Sequence, residues 1–351
     1  METALNVLMI SVNSEQSRGG IATWTRRYLN DCESHGIFCD IVNTEMMGKR
    51  QTGKSSNRNL LDEFIRTRRI FGDLKKCLKN ANYHAAHLNT SCGTFGLFRD
   101  YWIAKRIKRR GIPLINHFHC DIPFWISNGI SRYFLGKMVG LADVNLVLCE
   151  SSRVYLEEQF GVLAHKVPNF LDDDLIKLEG KQISENLETA VFVGRVSLEK
   201  GAKELFALAE QFPDITFRLV GDVSDIVNSW NKPENITLLG GVSYCKVLEE
   251  MDKADIFLFP SHSEGFSLAL TEAMARGLPA IATNVGANAD MLGQECGIVV
   301  QVGDVPSMRR GIDRLRPKQE RSRISQNAIA KVKNEYSAGT ILEMFKCYYQ
   351  Q

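Results

Sequence analysis

"FPSHSEGFSLALTEAMARGLPAIATNVG", residues 259–286, decides the fold of this chain. An apolar run ends at Pro260, a short polar turn follows, and "SLALTEAMAR" has the makings of a helix. Ser267 stands near its N-cap, Gly277 at its C′ position and Pro279 just beyond. A second apolar run, "PAIATN" (279–284), comes next. A buried strand that turns directly into a helix and then into another strand is the repeating unit of a parallel sheet covered on both faces. Such a helix begins at the carboxyl edge of the sheet, where its free N–H groups and positive dipole end suit a diphosphate. Gly265 lets the backbone approach that group without a Cβ in the way. Glu264 and Glu272 bracket the turn with the spacing Glu-x7-Glu. Beside phosphate a carboxylate repels, unless it accepts hydrogen bonds from hydroxyls, and a nucleotide sugar offers those on both ribose and hexose.

The alternation continues outward from this stretch. In the same half it gives "AVFVGR" (190–195), "TFRLVGD" (216–222), "NITLLG" (235–240), "DIFLFPS" (255–261) and "GIVVQV" (297–302). In the other half it gives "NVLMIS" (6–11), "CDIVNT" (39–44), "HAAHLN" (84–89), "PLINHFH" (113–119) and "VNLVLCE" (144–150). These short runs, separated by longer helix-period stretches, predict an α/β protein of two Rossmann-like, doubly wound domains. The polar segment 165–188 carries a Pro-Asn turn and no sustained period. It separates an N-terminal domain, 1–168, from a C-terminal domain, 169–334, and residues 335–351 form a final helix. Two such domains are expected to face a cleft at the carboxyl edges of their sheets.

The bulk properties agree. With 351 residues the chain is long for one core and comfortable for two. An apolar fraction of 44% and a charged fraction of 24% are those of a globular protein, and no apolar run reaches the length of a membrane span or signal peptide. The nine cysteines are scattered and never form C-x-x-C, which argues against a disulfide framework or zinc site and for reduced thiols in a cytoplasmic protein. The net charge of +2 hides an asymmetry: residues 1–168 carry 23 Lys and Arg against 15 Asp and Glu, and the remainder 20 against 26. The two halves have different electrostatic tasks.

"GKRQTGKS", Gly48 to Ser55, fits the written phosphate-loop pattern, but "EMM" separates it from the preceding strand and its interior lacks small residues. It reads as part of a basic surface. Residues 49–79 carry ten basic side chains against three acidic ones, with Leu60, Leu61, Phe64, Ile65, Phe71, Leu74 and Leu78 near helical spacing. Together with "KRIKRR" (105–110) this stretch is a candidate surface for anionic lipid, the alternative being an apolar stripe packed on its own sheet beneath a solvated charged face. Nucleic acid is not an expected partner, since the patch lacks interleaved exposed aromatics.

"FVGRVSLEKG" (192–201) ends the first strand of the second domain with Arg195 and sets Lys200 before a glycine and a helix. Two cations at a sheet edge are suited to a leaving diphosphate. With this segment, residues 259–286 resemble the retaining glycosyltransferases of the GT-B fold, the family called group 1 or GT4. The resemblance spans nearly the whole chain, specific in the second half and diffuse in the first. It implies that Arg195 and Lys200 bind the donor diphosphate, with the backbone of Gly265, Phe266 and Ser267. It gives Glu264 the donor sugar and Glu272 the ribose. "SRGGIATWTRRYLND" (17–31) then places Gly20 in a loop like the one that closes against the sugar diphosphate. "INHFHCDIP" (115–123) offers His117 and His119, which alternate onto the same face, so spacing does not choose between them. The resemblance assigns the sugar contact to His119. "HLNTS" (87–91) puts Asn89 and Thr90 on the acceptor side, and "LGGVSYCKVLEEMDKAD" (239–255) puts Gly241 and Val242 near the nucleotide base. "VPNFLDDD" resembles the family's Pro-Asn-Gly linker with Phe170 for the glycine, and its aspartates lie in that linker rather than at a strand end where a metal would be held.

The resemblance therefore implies a retaining, metal-independent hexosyltransferase with no cofactor and with a final helix that crosses back to the first domain. His119, Glu264, Arg195 and Lys200 are the expected catalytic residues. Its donor is a nucleoside-diphosphate sugar. A basic first domain without a membrane span points to a peripheral enzyme at the inner leaflet that extends a lipid-linked saccharide for cell-surface polysaccharide or lipopolysaccharide. The alternatives are a nucleotide-sugar-binding protein without turnover, or a phosphorylase or epimerase on the same architecture.

Overall fold

The structure is a computed structural model that describes residues 4–14, 19–46, 60–80 and 82–351. The phosphate-loop pattern at Gly48 to Ser55, and Lys49, Arg50, Lys54 and Arg58 of the basic stretch, lie outside the described residues. The chain divides into two compact units, one ending at Asn169 and taking back Ala338–Gln351, the other Phe170–Ser337.

In the first unit, β1 (Leu5–Ser11), β2 (Ile37–Asn43), β3 (Ala85–Thr90), β4 (Leu114–Phe118), β5 (Val144–Val147) and β6 (His165–Lys166) form a parallel sheet. Their order is β2-β1-β3-β4-β5-β6. Every residue of β3, β4 and β5 is buried, as expected of strands covered on both faces. The two-residue β6 pairs with Leu146 and Val147 inside the stretch read as linker, and it is too short to leave a periodic signal. Ile70, Leu74, Leu97, Ile103, Leu135 and Leu156 from the crossover helices meet the sheet in one core.

The helix Leu60–Asn80 answers both readings of the basic stretch. Its second half packs on the unit through Ile70 and Leu74, whereas Leu61, Phe64 and Ile65 in its first half are exposed. Several of its cations are engaged within the unit. Arg66 Nε and Arg69 Nη2 donate to the carbonyls of Thr44 and Glu45, both at 3.1 Å, and Arg106 from the neighbouring helix lies 4.1 Å from the Phe71 ring centroid. Burial brings the Arg66 guanidinium down to about 10. The expectation that no aromatic is exposed in the stretch is corrected: Phe64 is exposed, with Arg68 5.9 Å from its ring centroid.

The second unit contains β7 (Thr189–Val193), β8 (Thr216–Val220), β9 (Ile236–Gly240), β10 (Ile256–Phe259), β11 (Ala280–Thr283) and β12 (Gly297–Val300). All run parallel, in the order β12-β11-β10-β7-β8-β9. The order reverses between β7 and β10, so the segments leaving these two strands part to opposite faces and leave the crevice in which doubly wound sheets bind ligands. The helix after β10 is Leu268–Ala275. Ser267 caps it by accepting from Leu270 N at 3.1 Å. It closes with a left-handed Gly277, whose N–H donates to the Met274 carbonyl while Leu278 N donates to Ala273. Helix Lys318–Glu335 packs against it; Leu171 and Ser337 then pair as a parallel bridge, and the final helix, Ala338–Tyr349, belongs to the first unit. Phe170, which stands for the glycine of the linker motif, is buried.

Candidate functional site

In the second unit the switch point unites the two motifs. Lys200 lies on the turn after β7 and Glu264 on the turn after β10, and Lys200 Nζ meets Glu264 Oε1 at 2.6 Å and the Ser263 carbonyl at 3.3 Å. Two glycines enforce the approach. A Cβ on the left-handed Gly201 would fall 2.3 Å from the Pro260 oxygen, and one on Gly286 would fall 2.3 Å from the Glu264 oxygen. Ala287 N also donates to the Gly265 carbonyl at 2.9 Å, so the loop after β11 supports the Glu264 turn from behind. Gly286 closes the segment 259–286, but its role depends on a contact that spacing does not reveal. Arg195 is exposed and forms no ion pair with a described residue, whereas Lys200 is half-buried. Phe266 and Ser267 are buried at the start of the helix.

Glu272 is buried one helical turn further along and accepts from the Tyr244 hydroxyl at 3.0 Å. Tyr244 follows Gly241 and Val242 at the start of helix Tyr244–Lys253, capped by Ser243. The segment expected near the base is thereby tied to the carboxylate expected to hold the ribose. Sequence reading passed over Tyr244, although it lies two residues from Val242, because the partner that gives it meaning is 28 positions away. His262 Nε2 contacts Glu204 at 2.8 Å on the same rim. Among the described residues no group of three His, Cys, Asp or Glu side chains could hold a metal.

The first unit gathers a different set. His117 and His119 do project together, with ring centroids 4.0 Å apart, and they differ in burial: His117 is fully buried and His119 half-buried. Asn89 Oδ1 accepts from His119 Nε2 at 2.8 Å, which fixes the proton on Nε2 and leaves Nδ1 as an acceptor. Asn89 Nδ2 donates to Ser11 Oγ at 2.9 Å. His117 Nδ1 meets His87 Nε2 at 3.2 Å, His87 Nδ1 meets the Tyr349 hydroxyl at 2.6 Å, and Tyr349 meets Tyr28 at 2.8 Å. The final helix is thus hydrogen-bonded into this unit, with Trp24 set edge-on to His117 and His119 and Phe345 tilted against His87. Burial, and for His119 also the charge of His87, holds His87 and His119 down to about 3; burial with its two histidine neighbours holds His117 well below the ordinary range. All three are neutral at pH 7. The buried atoms His117 Nε2 and Thr90 Oγ1 have no hydrogen-bond partner among the described residues. Gly20 opens the first helix, and a Cβ there would meet nothing within 4 Å, so its own backbone does not require a glycine.

Two all-parallel, doubly wound units with a final helix returned to the first define a GT-B protein. The chain superposes on Anabaena HepE, solved in complex with UDP-glucose, with a TM-score of 0.72 over 98% of this chain and 99% of that one at 17% identity, a likeness of fold. Residues 176–331, nearly all of the second unit, match the family model described as glycosyl transferases group 1. Among curated relatives, the chain is 28% identical over 266 residues to the 2-deoxystreptamine N-acetyl-D-glucosaminyltransferase of Niallia circulans, covering 65% of each protein. It is 26% identical over 220 residues to the capsular polysaccharide biosynthesis glycosyltransferase CapM of Staphylococcus aureus, covering 57% of each. The chain thus spans between half and two thirds of the length of these two curated relatives. No helix among the described residues is long and apolar enough to cross a membrane.

Proposed function

We propose that this chain is a retaining glycosyltransferase that moves a hexose from a nucleoside-diphosphate sugar to a hydroxyl. The observation that carries the reading is the Lys200–Glu264 pair at the switch point, with Arg195 exposed after the same strand and in no ion pair with a described residue. Arg195 and Lys200 take the diphosphate, together with the amides after Glu264 and the N-terminus of the capped helix. Glu264 accepts from hexose hydroxyls, and Glu272, steadied by Tyr244, from the ribose. The backbone of Gly241 and Val242 faces the base. HepE was solved with UDP-glucose, which makes UDP-hexoses the first donors to try.

In the front-face route the bond from C1 to the β-phosphate oxygen breaks as the acceptor oxygen bonds to C1 on the same face. The acceptor proton passes to the departing phosphate, and the diphosphate carries the electron pair away. The protein supplies charge to the leaving group and orientation to the sugar. His119, with its Nδ1 lone pair, and Asn89 and Thr90 are the polar groups of the first unit proposed for substrate hydroxyls; Gly20 leaves the backbone open for close approach. No step requires a metal, so transfer should persist in EDTA. The acceptor is a lipid-linked saccharide at the inner face of the membrane, a reading supported by the basic first half and by the capsular polysaccharide biosynthesis in which CapM acts.

Lys200→Ala and Glu264→Ala test the proposal. Product formation from a panel of UDP- and GDP-hexoses should fall about 100- to 1000-fold, the usual consequence of removing one transition-state charge contact. Titration calorimetry should show weaker donor binding by Lys200→Ala. Loss of donor binding in both variants with no turnover in the parent protein would instead identify a nucleotide-sugar-binding protein.

A further inference from the structure

The first unit carries an exposed aromatic face that the proposed site does not use. It is built on the segments that follow β3 and β4. Helix Thr94–Lys108 exposes Phe98, residues 122–130 expose Phe124, Trp125 and Ile130, and helix Gly129–Val139 exposes Tyr133. The exposures run from 48% for Phe98 to 64% for Ile130, far above the core, where such side chains belong. The two helices are joined: the Phe98 ring lies 5.1 Å from Phe134, Phe134 lies 5.3 Å from Tyr133, and Thr94 Oγ1 meets Ser131 Oγ at 2.7 Å. Phe124 and Trp125 form a pair of their own, ring centroids 5.9 Å apart, on the segment that leads through Ile130 into helix Gly129–Val139, and large apolar side chains exposed in groups mark a contact with something outside the protein.

The segment that carries this face is basic, while the helix Glu150–Phe160 packed against residues 122–125 adds Glu150 and Glu157, both paired with Arg153, and an exposed Glu158. Between residues 94 and 141 there are eight Lys and Arg against two Asp. Asp100 is buried and bound by Arg99 at 2.7 Å, and Asp121 accepts from Ser151 at 2.7 Å. Lys137 Nζ lies 5.5 Å from the Tyr133 ring centroid and Lys105 Nζ 5.0 Å from that of Trp102. These cations belong to the apolar face itself.

We propose that this face docks on an anionic bilayer. Phe98, Phe124, Trp125 and Ile130 enter the zone between headgroups and acyl chains, Tyr133 rests at headgroup level, and Lys105 and Lys137 pair with lipid phosphates. Single-stranded nucleic acid also favours aromatics and cations, but it is served by rings set as platforms on which successive bases stack, not by rings paired edge-to-face with one another. Here Phe98 meets Phe134 at 90°, Tyr133 meets Phe134 at 82°, Phe124 meets Trp125 at 78°, and cations lie near the Tyr133 and Trp102 rings. The inference deepens the proposed function and rests on its membrane-borne acceptor. It assigns the membrane contact to residues 94–141, whereas Arg66 and Arg69 of the helix first suspected are occupied within the unit.

The full-length chain should float with phosphatidylglycerol-containing vesicles and not with phosphatidylcholine alone, and high salt should weaken the association. Phe124→Ala/Trp125→Ala should reduce the bound fraction about tenfold and Lys137→Gln a few-fold. Tyr133→Ser provides a second aromatic variant should the double one fold poorly by circular dichroism. Release of UDP from UDP-hexoses is measured on the same samples. Retained hydrolysis with lost flotation supports the inference. A parent protein that hydrolyses donor but ignores anionic vesicles overturns it and leaves the proposed function standing, whereas flotation without donor turnover sinks only that function. Flotation unchanged in every variant, a dimer dispersed by Phe124→Ala/Trp125→Ala, or an oligothymidine bound through these same residues would also overturn it.

Discussion

The two units wind nearly the same sheet and equip it in opposite ways. At the switch point of the second unit stand ionised groups, the Lys200–Glu264 pair and an exposed Arg195. At the carboxyl ends of β1, β3 and β4 in the first unit stand neutral ones, in which Ser11, Asn89 and three imidazoles share hydrogen bonds with little free charge. A diphosphate calls for fixed cations, since only charge placed in advance offsets charge that develops on a leaving group. A sugar hydroxyl calls for donors and acceptors that stay uncharged where water is excluded. One topology therefore serves two ligand chemistries through the residues at its strand ends.

Acid should break this symmetry most sharply. Folded, His87 is held at about 3 and His117 well below its ordinary value; unfolded, each titrates near 6.5. Between those values the unfolded chain binds more protons, so the stability these residues allow is complete above about pH 6.5 and is lost as pH falls. The slope is up to about 1.4 kcal/mol per pH unit for each histidine. Six of the seven histidines belong to the first unit, and His262 alone to the second. Hydrogen exchange at pH 7.5 and 5.5 should show β3 and β4 losing protection while β7 and β10 keep theirs. Equal loss in both units would dissolve the contrast.

The sequence exposed the second unit more fully than the first, for a physical reason. Its site is made of short-range grammar: a cap at Ser267, a left-handed Gly277, a helix fixed between two buried strands, with Glu264 and Glu272 on one continuous segment. Lys200 could be paired with that segment because the strand alternation already implied a sheet edge. The histidine network is long-range. His87 meets His117 across 30 positions and Tyr349 across 262, and only the pairing of β3 with β4 and the return of the last helix bring them together. Spacing placed His117 and His119 on one face and went no further; burial separates them. The same limit hid the engagement of Arg66, the role of Gly286 and the two-residue β6.

Tyr244 sharpens the comparison on the charged side. Its hydroxyl donates to Glu272, whose carboxylate is the buried acceptor proposed for the ribose. Tyr244→Phe keeps the ring and removes one charge-assisted hydrogen bond, so Glu272 is less firmly oriented when the donor arrives. Donor KM should rise about five- to tenfold, corresponding to about 1–1.5 kcal/mol, with kcat nearly unchanged. A fall in kcat with KM constant would mean that Tyr244 acts on the reacting centre instead.

The smallest effect separates fold from ligand. Ser267 caps the Leu268–Ala275 helix through Leu270 N, and the helix start it organises is the one proposed for the diphosphate. Ser267→Ala should cost about 1 kcal/mol, lowering the unfolding temperature of the second unit by about 2–4 °C. If the cap only stabilises the helix, Ser267→Asp, which caps as well, restores stability and activity together. If the diphosphate lies at this helix start, the aspartate restores the unfolding temperature while repelling the donor, so KM rises although stability returns. Stability and donor affinity moving apart in that single variant would place the anion at the second unit's helix; their moving together would leave the cap as architecture alone.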